Sequence, residues 1–231
     1  MVKECILVVD DETRYLRLIR LNLEAEGYTV DCVTTGEEAL TVLAEQVPDL
    51  VLLNVMLPGL DGFEVCARIR DMSTVPIIML AANGADGGKV KWLRLGADDY
   101  IVGPFSAQEL MARVDAILRR SHPPESIGSQ TRFYSGALEI NILTRRVKVS
   151  EQEVRLSPIE YRVLHCLASN VGKIVTQDDL ISAVWGPEYK GGHDIVRVTV
   201  GRLCHKLGDD PRHPRFITTV PGAGYFLEGP P

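Results

Sequence analysis

The sequence predicts two folded units: an α/β unit built on a doubly wound, five-stranded parallel sheet, and a smaller α+β unit after it. Within residues 1–120, short continuous apolar runs alternate with helix-period patterns, which is typical of buried parallel strands joined by crossover helices. Residues 121–131 are rich in Pro, Ser and Gly and predict a linker. Residues 1–120 hold 12 Lys/Arg and 19 Asp/Glu, whereas residues 132–231 hold 13 and 11. Only the second domain, residues 132–231, therefore has a charge that suits a polyanion.

The strands and helices of the first unit are predicted from where apolar residues fall. Residues 7–9, 50–53 and 76–80 are continuous apolar runs, and Thr29–Val33 and Asp99–Val102 are weaker strand candidates. The first and last helices each carry apolar residues on one face, at Leu16, Ile19 and Leu23 and at Leu110, Val114 and Ile117. Alternation of this kind places helices on both faces of a parallel sheet.

The second unit is predicted to contain short strands, three helices and a terminal hairpin. Residues 137–141 and Arg146–Val149 are strand candidates, and the hairpin pairs residues 216–220 with 225–227. The first helix begins at the N-cap Ser157, with Glu160 at capping-box spacing, and Thr176 caps the second helix. The third helix spans His193–Leu207. Three helices followed by a hairpin is the order of a winged helix.

Composition and missing motifs exclude several classes of protein. Hydrophobic residues make up 45% and charged residues 24% of the 231 residues, which is typical of soluble globular proteins. No apolar run approaches the ~20 residues that a membrane span needs, so we expect no membrane contact and a cytoplasmic location. The five cysteines form no CxxC pair, which favours reduced thiols over a zinc site. Because no Ser-His-Asp set, P-loop or HExxH motif occurs, we expect no enzyme.

Five residues follow the predicted strands of the first unit and should meet at one edge of the sheet: Asp10, Asp11, Asn54, Ala81 and Gly103. The surrounding segments are VVDDE (residues 8–12), NVMLPGLDG (54–62), PIIML (76–80) and GADDYIVGPF (96–105). In order and spacing, these segments resemble the receiver domain of bacterial response regulators, over residues 4–120. The resemblance implies a flavodoxin-like fold and a cis peptide bond between Gly103 and Pro104.

The resemblance also implies chemistry that this sequence has largely lost. In the family, the paired acids hold Mg²⁺, and an Asp at the position of Asn54 accepts a phosphoryl group. A Thr or Ser at the position of Ala81 and a Lys at that of Gly103 bind its oxygens. An amide is a poor nucleophile, and Gly103 supplies no cation for the transferred charge. We therefore expect a degenerate receiver that is not switched by aspartyl phosphorylation, with no cofactor and only a weak candidate Mg²⁺ site at Asp10 and Asp11.

A charged face follows the fourth strand, and the resemblance implies that this face forms a dimer. Tyr100 lies at the position of the family's switch aromatic, and packing alone is the alternative role for it. In the OmpR/PhoB subfamily, this face forms a symmetric receiver dimer through ion pairs, whereas an ordinary solvated face is the alternative interpretation. The residues that the resemblance assigns to the dimer face are Lys89, Lys91, Arg94, Asp98, Asp99, Glu109 and Arg113.

The third helix of the second unit is the predicted DNA-reading element. Val196, Val200, Leu203 and Leu207 form an apolar stripe that should face the core. Residues 175–186, 196–211 and 217–226 resemble the winged-helix effector of OmpR/PhoB-type regulators, in which this helix enters the major groove and the hairpin wing reaches the minor groove. The candidate DNA-binding residues are Arg197, Val198, Thr199, Arg202, His205, Lys206, Gly222 and Tyr225.

The effector also departs from the family at three positions. Gly201, Cys204 and Pro221 stand where the family often has arginine, so we expect fewer cations on DNA and a larger contribution from dimerisation. The loop at residues 186–192 corresponds to the one that touches RNA polymerase in the family.

These observations predict a transcription regulator that binds promoter double-stranded DNA as a homodimer, independently of phosphorylation. Its input would be abundance, a small-molecule ligand or a partner protein. The alternative interpretation is a phosphorylation-dependent two-component regulator, driven by a sensor kinase, in which Asn54 is engineered. A third interpretation makes the receiver chiefly a protein-docking module.

Overall fold

The computed structural model describes residues 4–81, 95–121, 132–186, 189, 191–210 and 212–229. The chain divides into two compact units, residues 1–121 and 122–231. Each unit is described by itself.

The first unit is a five-stranded parallel sheet in the order β2-β1-β3-β4-β5. The strands are β1 (Cys5–Val9), β2 (Thr29–Val33), β3 (Leu50–Asn54), β4 (Ile77–Ala81) and β5 (Asp99–Val102). The helices are α1 (Thr13–Ala25), α2 (Gly36–Glu45), α3 (Gly62–Met72) and α4 (Ala107–Ser121). The predicted doubly wound fold is confirmed. Strands β1, β3 and β4 read as apolar runs because they are central and almost wholly buried.

Register in this sheet sets the pocket at its carboxyl edge. Val9 lies opposite Leu53, Asn54 opposite Leu80, and Ala81 opposite Val102. The loop after β3 passes close behind position 54, because a Cβ added to Gly62 would lie 2.2 Å from the carbonyl oxygen of Asn54. Glycine is therefore required at residue 62 for α3 to start where it does.

The described residues of the second unit form two antiparallel sheets and three helices. The four-stranded sheet is β6 (Arg132–Ser135), β7 (Leu138–Asn141), β8 (Arg146–Val149) and β9 (Gln152–Val154), and the three-stranded sheet has the order β10 (Ile174–Val175), β12 (Gly224–Leu227) and β11 (Ile217–Val220). The helices are α5 (Pro158–Ser169), α6 (Gln177–Leu180), which continues into a π-helical turn at Ile181–Trp185, and α7 (His193–Leu207). The winged-helix prediction is confirmed.

Local sequence signals explain the starts of these helices. The predicted capping box forms between Ser157 and Glu160, and Thr176, the predicted cap of the second helix, forms a capping box with Asp179. Sequence patterning missed β6, β9 and β10, because these strands are short or polar and lack a clear period of two. No helix in the described part of the chain is long and apolar enough to cross a membrane.

Candidate DNA-binding surface and receiver pocket

The five residues predicted at the receiver edge meet there. The side-chain amide nitrogen of Asn54 lies 3.4 Å from Oδ1 of Asp11, and the backbone N–H of Gly103 donates to the carbonyl oxygen of Ala81 at 2.7 Å. Asp10 is buried beside them and accepts a hydrogen bond from the backbone N–H of Glu12 at 2.9 Å. The peptide bond between Gly103 and Pro104 is cis, as predicted.

The orientation of the Asn54 amide is set by the backbone. The N–H of Met56 donates to Oδ1 of Asn54 at 3.0 Å, so the amide NH₂ group is the end that faces Asp11. An NH₂ group donates hydrogen bonds and offers no lone pair to a cation. Burial raises the pKa of Asp10, the N–H of Glu12 opposes that shift, and the charge of Asp11 adds to it.

This donor set does not fit the family's Mg²⁺ site. Mg²⁺ prefers anionic oxygen ligands, and the third side chain at this edge presents a donor instead. Within the described ranges, no group of three or more His, Cys, Asp or Glu side chains is placed to hold a metal ion.

Packing does not force residue 103 to be glycine. A Cβ added there would lie 3.4 Å from the carbonyl oxygen of Ala81 and 4.0 Å from Cδ1 of Phe105, which are ordinary contacts. The backbone at this position therefore accepts a Cβ as it stands.

Part of the predicted dimer face is buried within one chain. Asp98 is buried, accepts from the guanidinium of Arg70 at 2.7 Å and from the backbone N–H of Ile77 at 2.9 Å. The surface exposure predicted for Asp98 is therefore wrong: the carboxylate fixes the start of β5 to α3 and β4. Lys89, Lys91 and Arg94 lie outside the described residues.

The other dimer-face candidates already pair with each other. Arg113 bridges Asp99 at 3.2 Å and Glu109 at 3.3 Å. The aromatic ring of Tyr100 is half-buried against the receiver core.

The outward face of α7 differs from the predicted one. Asp194, Arg197, Gly201 and His205 are exposed, at i, i+3, i+7 and i+11 along the helix. Val198 and Thr199 are buried, so their predicted positions on the DNA-facing surface are wrong. The physical reason is that α7 packs against both α5 and α6, which buries a wider arc than one apolar stripe.

The cations of α7 divide into two groups. Arg197 has a side chain 65% exposed and pairs with Asp194 one turn earlier. Arg202 and Lys206 instead pair with Glu160, a buried residue of α5. At the start of α7, Nε2 of His193 lies 2.9 Å from Oδ1 of Asp178.

The wing is anchored by a buried carboxylate that sequence patterning missed. Asp209 accepts from the backbone N–H groups of Arg215, Phe216 and Ile217, at 2.5, 3.2 and 2.8 Å. Gly222 is exposed at the tip of the hairpin with φ +74°. Tyr225 is buried, so its predicted position on the DNA-facing surface is wrong.

Comparison with known families identifies both units. Residues 6–115 match the response regulator receiver domain, and residues 151–227 match the family described as transcriptional regulatory protein, C terminal. The structure of DrrB, described as a Thermotoga maritima OmpR/PhoB homologue, is 30% identical over 99% of this chain and 100% of its own, with a TM-score of 0.52. This chain belongs to the OmpR/PhoB family of response regulators.

Two further structures resemble this OmpR/PhoB-family regulator. A cysteine-to-aspartate mutant of RitR is 28% identical over 98% of this chain and 99% of its own, with a TM-score of 0.79. The receiver domain of a Francisella response regulator is 30% identical over 52% of this chain and 99% of its own, with a TM-score of 0.50. A receiver joined to a DNA-binding domain makes the chain a transcription regulator, and neither matched family is a family of enzymes.

Proposed function

We propose that this OmpR/PhoB-family regulator binds promoter DNA without aspartyl phosphorylation. The observation that carries the proposal is the Asn54 amide, whose NH₂ group faces Asp11 at the position of the phosphoryl acceptor. A phosphoryl acceptor must be a nucleophilic carboxylate. Ala81 and Gly103 remove the hydroxyl and the cation that would bind the transferred group.

The proposed DNA contact uses the exposed stripe of α7 and the tip of the wing. Arg197 and His205 face outward on either side of Gly201, which has no side chain. Arginine is the side chain that pairs bidentately with guanine in the major groove. Gly222 lets the backbone of the wing approach the adjacent groove closely.

The proposed assembly is a homodimer that acts in the cytoplasm. Residues 1–120 are its receiver, 121–131 its linker and 132–231 its effector. Dimerisation uses Glu109 and Arg113, whose partly exposed pair is exchangeable for pairs with a second copy, whereas Asp99 is buried beneath Arg113. RNA polymerase contacts the loop at residues 186–192. The input is a small-molecule ligand, a partner protein or abundance.

The experiment runs phosphoryl uptake and DNA binding on the same full-length protein. Acetyl phosphate and Mg²⁺ supply the phosphoryl group, a phosphate-affinity gel measures uptake, and anisotropy measures binding to a duplex selected from a random-sequence pool. Specific DNA binding with no uptake supports the proposal. Uptake by the unaltered chain, or binding that needs Asn54→Asp, supports instead a phosphorylation-dependent regulator with a sensor kinase as its input.

A further inference from the structure

The C-terminal half of the recognition helix points two of its cations inward. The Nε of Arg202 donates to Oε1 of Glu160 at 3.1 Å, and the Nζ of Lys206 donates to Oε2 at 2.7 Å. The backbone N–H of Ser157 also donates to Oε2, at 2.8 Å. We call Glu160, Arg202 and Lys206 the ion cluster.

Burial in the ion cluster is deep and graded. The side chain of Glu160 is 1% exposed, that of Arg202 11% and that of Lys206 30%. Burial by itself would raise the pKa of Glu160, but the charges of Arg202 and Lys206 outweigh it and lower that pKa. The carboxylate therefore stays ionised and holds both cations against α5.

Arg197, in contrast to Arg202 and Lys206, belongs to an exposed ion pair. Its side chain is 65% exposed, and its partner Asp194 is 60% exposed. An exposed pair between residues i and i+3 is weak and screened by salt, so a phosphate can displace Asp194. A phosphate cannot displace Glu160 from Arg202 without leaving a buried carboxylate unpaired, which is costly.

We infer that Arg202 and Lys206 are positioning residues held by Glu160, and that Arg197 is the cation of α7 that meets the DNA backbone. The ion cluster sets the rotation of α7 on α5, and this rotation turns Arg197, Gly201 and His205 outward. The inference rests on the proposed function, since it assigns roles for DNA binding. It removes two of the cations that the helical pattern alone assigned to DNA.

The salt dependence of DNA binding separates contact from positioning. Each neutralised phosphate contributes about 0.9 to the slope of log K against log salt. Arg197→Met should make this negative slope shallower by about 0.9 per bound chain, because one fewer phosphate is neutralised. Arg202→Met and Lys206→Met, the same replacement on the same helix, should weaken binding at every salt concentration and leave the slope unchanged. The probe is a fluorescein-labelled random-sequence duplex with full-length protein.

Two further variants test whether Arg202 acts through Glu160. Arg202→Lys retains a cation for Glu160 and should recover most of the affinity that Arg202→Met loses. If Arg202→Met fails to fold, the triple variant Glu160→Met/Arg202→Met/Lys206→Met removes all three charges of the ion cluster and leaves no buried ion unpaired. Its slope should equal that of the unaltered protein.

The inference would be overturned if the slope became shallower by about 0.9 in Arg202→Met or Lys206→Met while the slope of Arg197→Met equalled that of the unaltered protein. Failure of the proposed function looks different, because the unaltered protein would then show no salt-dependent DNA binding at all.

Discussion

Replacing Gly201 with arginine tests the outward face of α7 directly. Gly201 lies inside the helix and is exposed, and no atom lies within 4 Å of a Cβ added there. Glycine in a helix interior costs about 0.8–1.0 kcal/mol relative to alanine, whereas arginine is nearly as favourable as alanine. Gly201→Arg should therefore stabilise the effector by about 0.7 kcal/mol, which raises its Tm by about 3–6 °C for a domain of ~100 residues.

The same substitution should strengthen DNA binding through charge. One added phosphate contact makes the salt slope more negative by about 0.9 per bound chain, so between about 50 and 200 mM salt the affinity should fall about 3.5-fold more steeply. Anisotropy titrations at several salt concentrations measure the slope, and calorimetry measures Tm. Gly201→Ala is the control, because it should raise Tm at least as much as Gly201→Arg with no change in slope. If Gly201→Arg gains in Tm and leaves the slope unchanged, position 201 does not face DNA and our choice of outward face is wrong.

Three other predictions concern the pocket and the two buried carboxylates. The triple variant Asn54→Asp/Ala81→Thr/Gly103→Lys should take up phosphoryl groups from acetyl phosphate with Mg²⁺, because it restores the nucleophilic carboxylate, the hydroxyl and the cation at a position whose backbone accepts a Cβ; a phosphate-affinity gel would show no shifted band if the pocket were blocked. Because the pKa of Glu160 is lowered on folding, its stabilisation is complete above the unfolded-state pKa of about 4.3 and is lost as pH falls through the folded-state pKa. Urea titrations in a Trp92→Phe background, which leaves Trp185 as the single tryptophan, should show this acid-side loss by fluorescence, and it should be absent from Glu160→Gln. Arg70→Met should destabilise the receiver by about 3–5 kcal/mol, since it leaves the carboxylate of Asp98 buried without its cation. The control Arg68→Met breaks an exposed pair with Glu64 and should cost less than about 1 kcal/mol. Equal losses of unfolding free energy in chemical denaturation would refute the distinction.

The receiver shows what local patterning predicts well. Central strands are apolar along their whole length because both faces are covered, so residues 50–53 and 76–80 were recognisable without any tertiary information. Strand order then brings residues 10, 54, 81 and 103 to one edge, since parallel strands end on the same side. The capping boxes of α5 and α6 were equally local, because they depend on side chains three residues apart.

The roles of the charged residues were not local. Glu160 had a signal in the sequence, since it falls within the apolar stripe formed with Ile159, Val163 and Leu164, but its partners lie more than 40 residues later. Asp98 was placed on the surface because its partner Arg70 is 28 residues earlier.

The sequence by itself therefore determined the two folds and the bounds of several elements, because each depends on the period and identity of neighbouring residues. Only the tertiary structure decided which charges face outward. One helical sequence pattern is compatible with several different sets of buried residues. In α7 that set is decided by α5 and α6, which both pack against it. Ion pairs such as Glu160 with Arg202 form where the packed backbone brings side chains that are distant in sequence within hydrogen-bonding distance. A local sequence pattern holds no information on such distances.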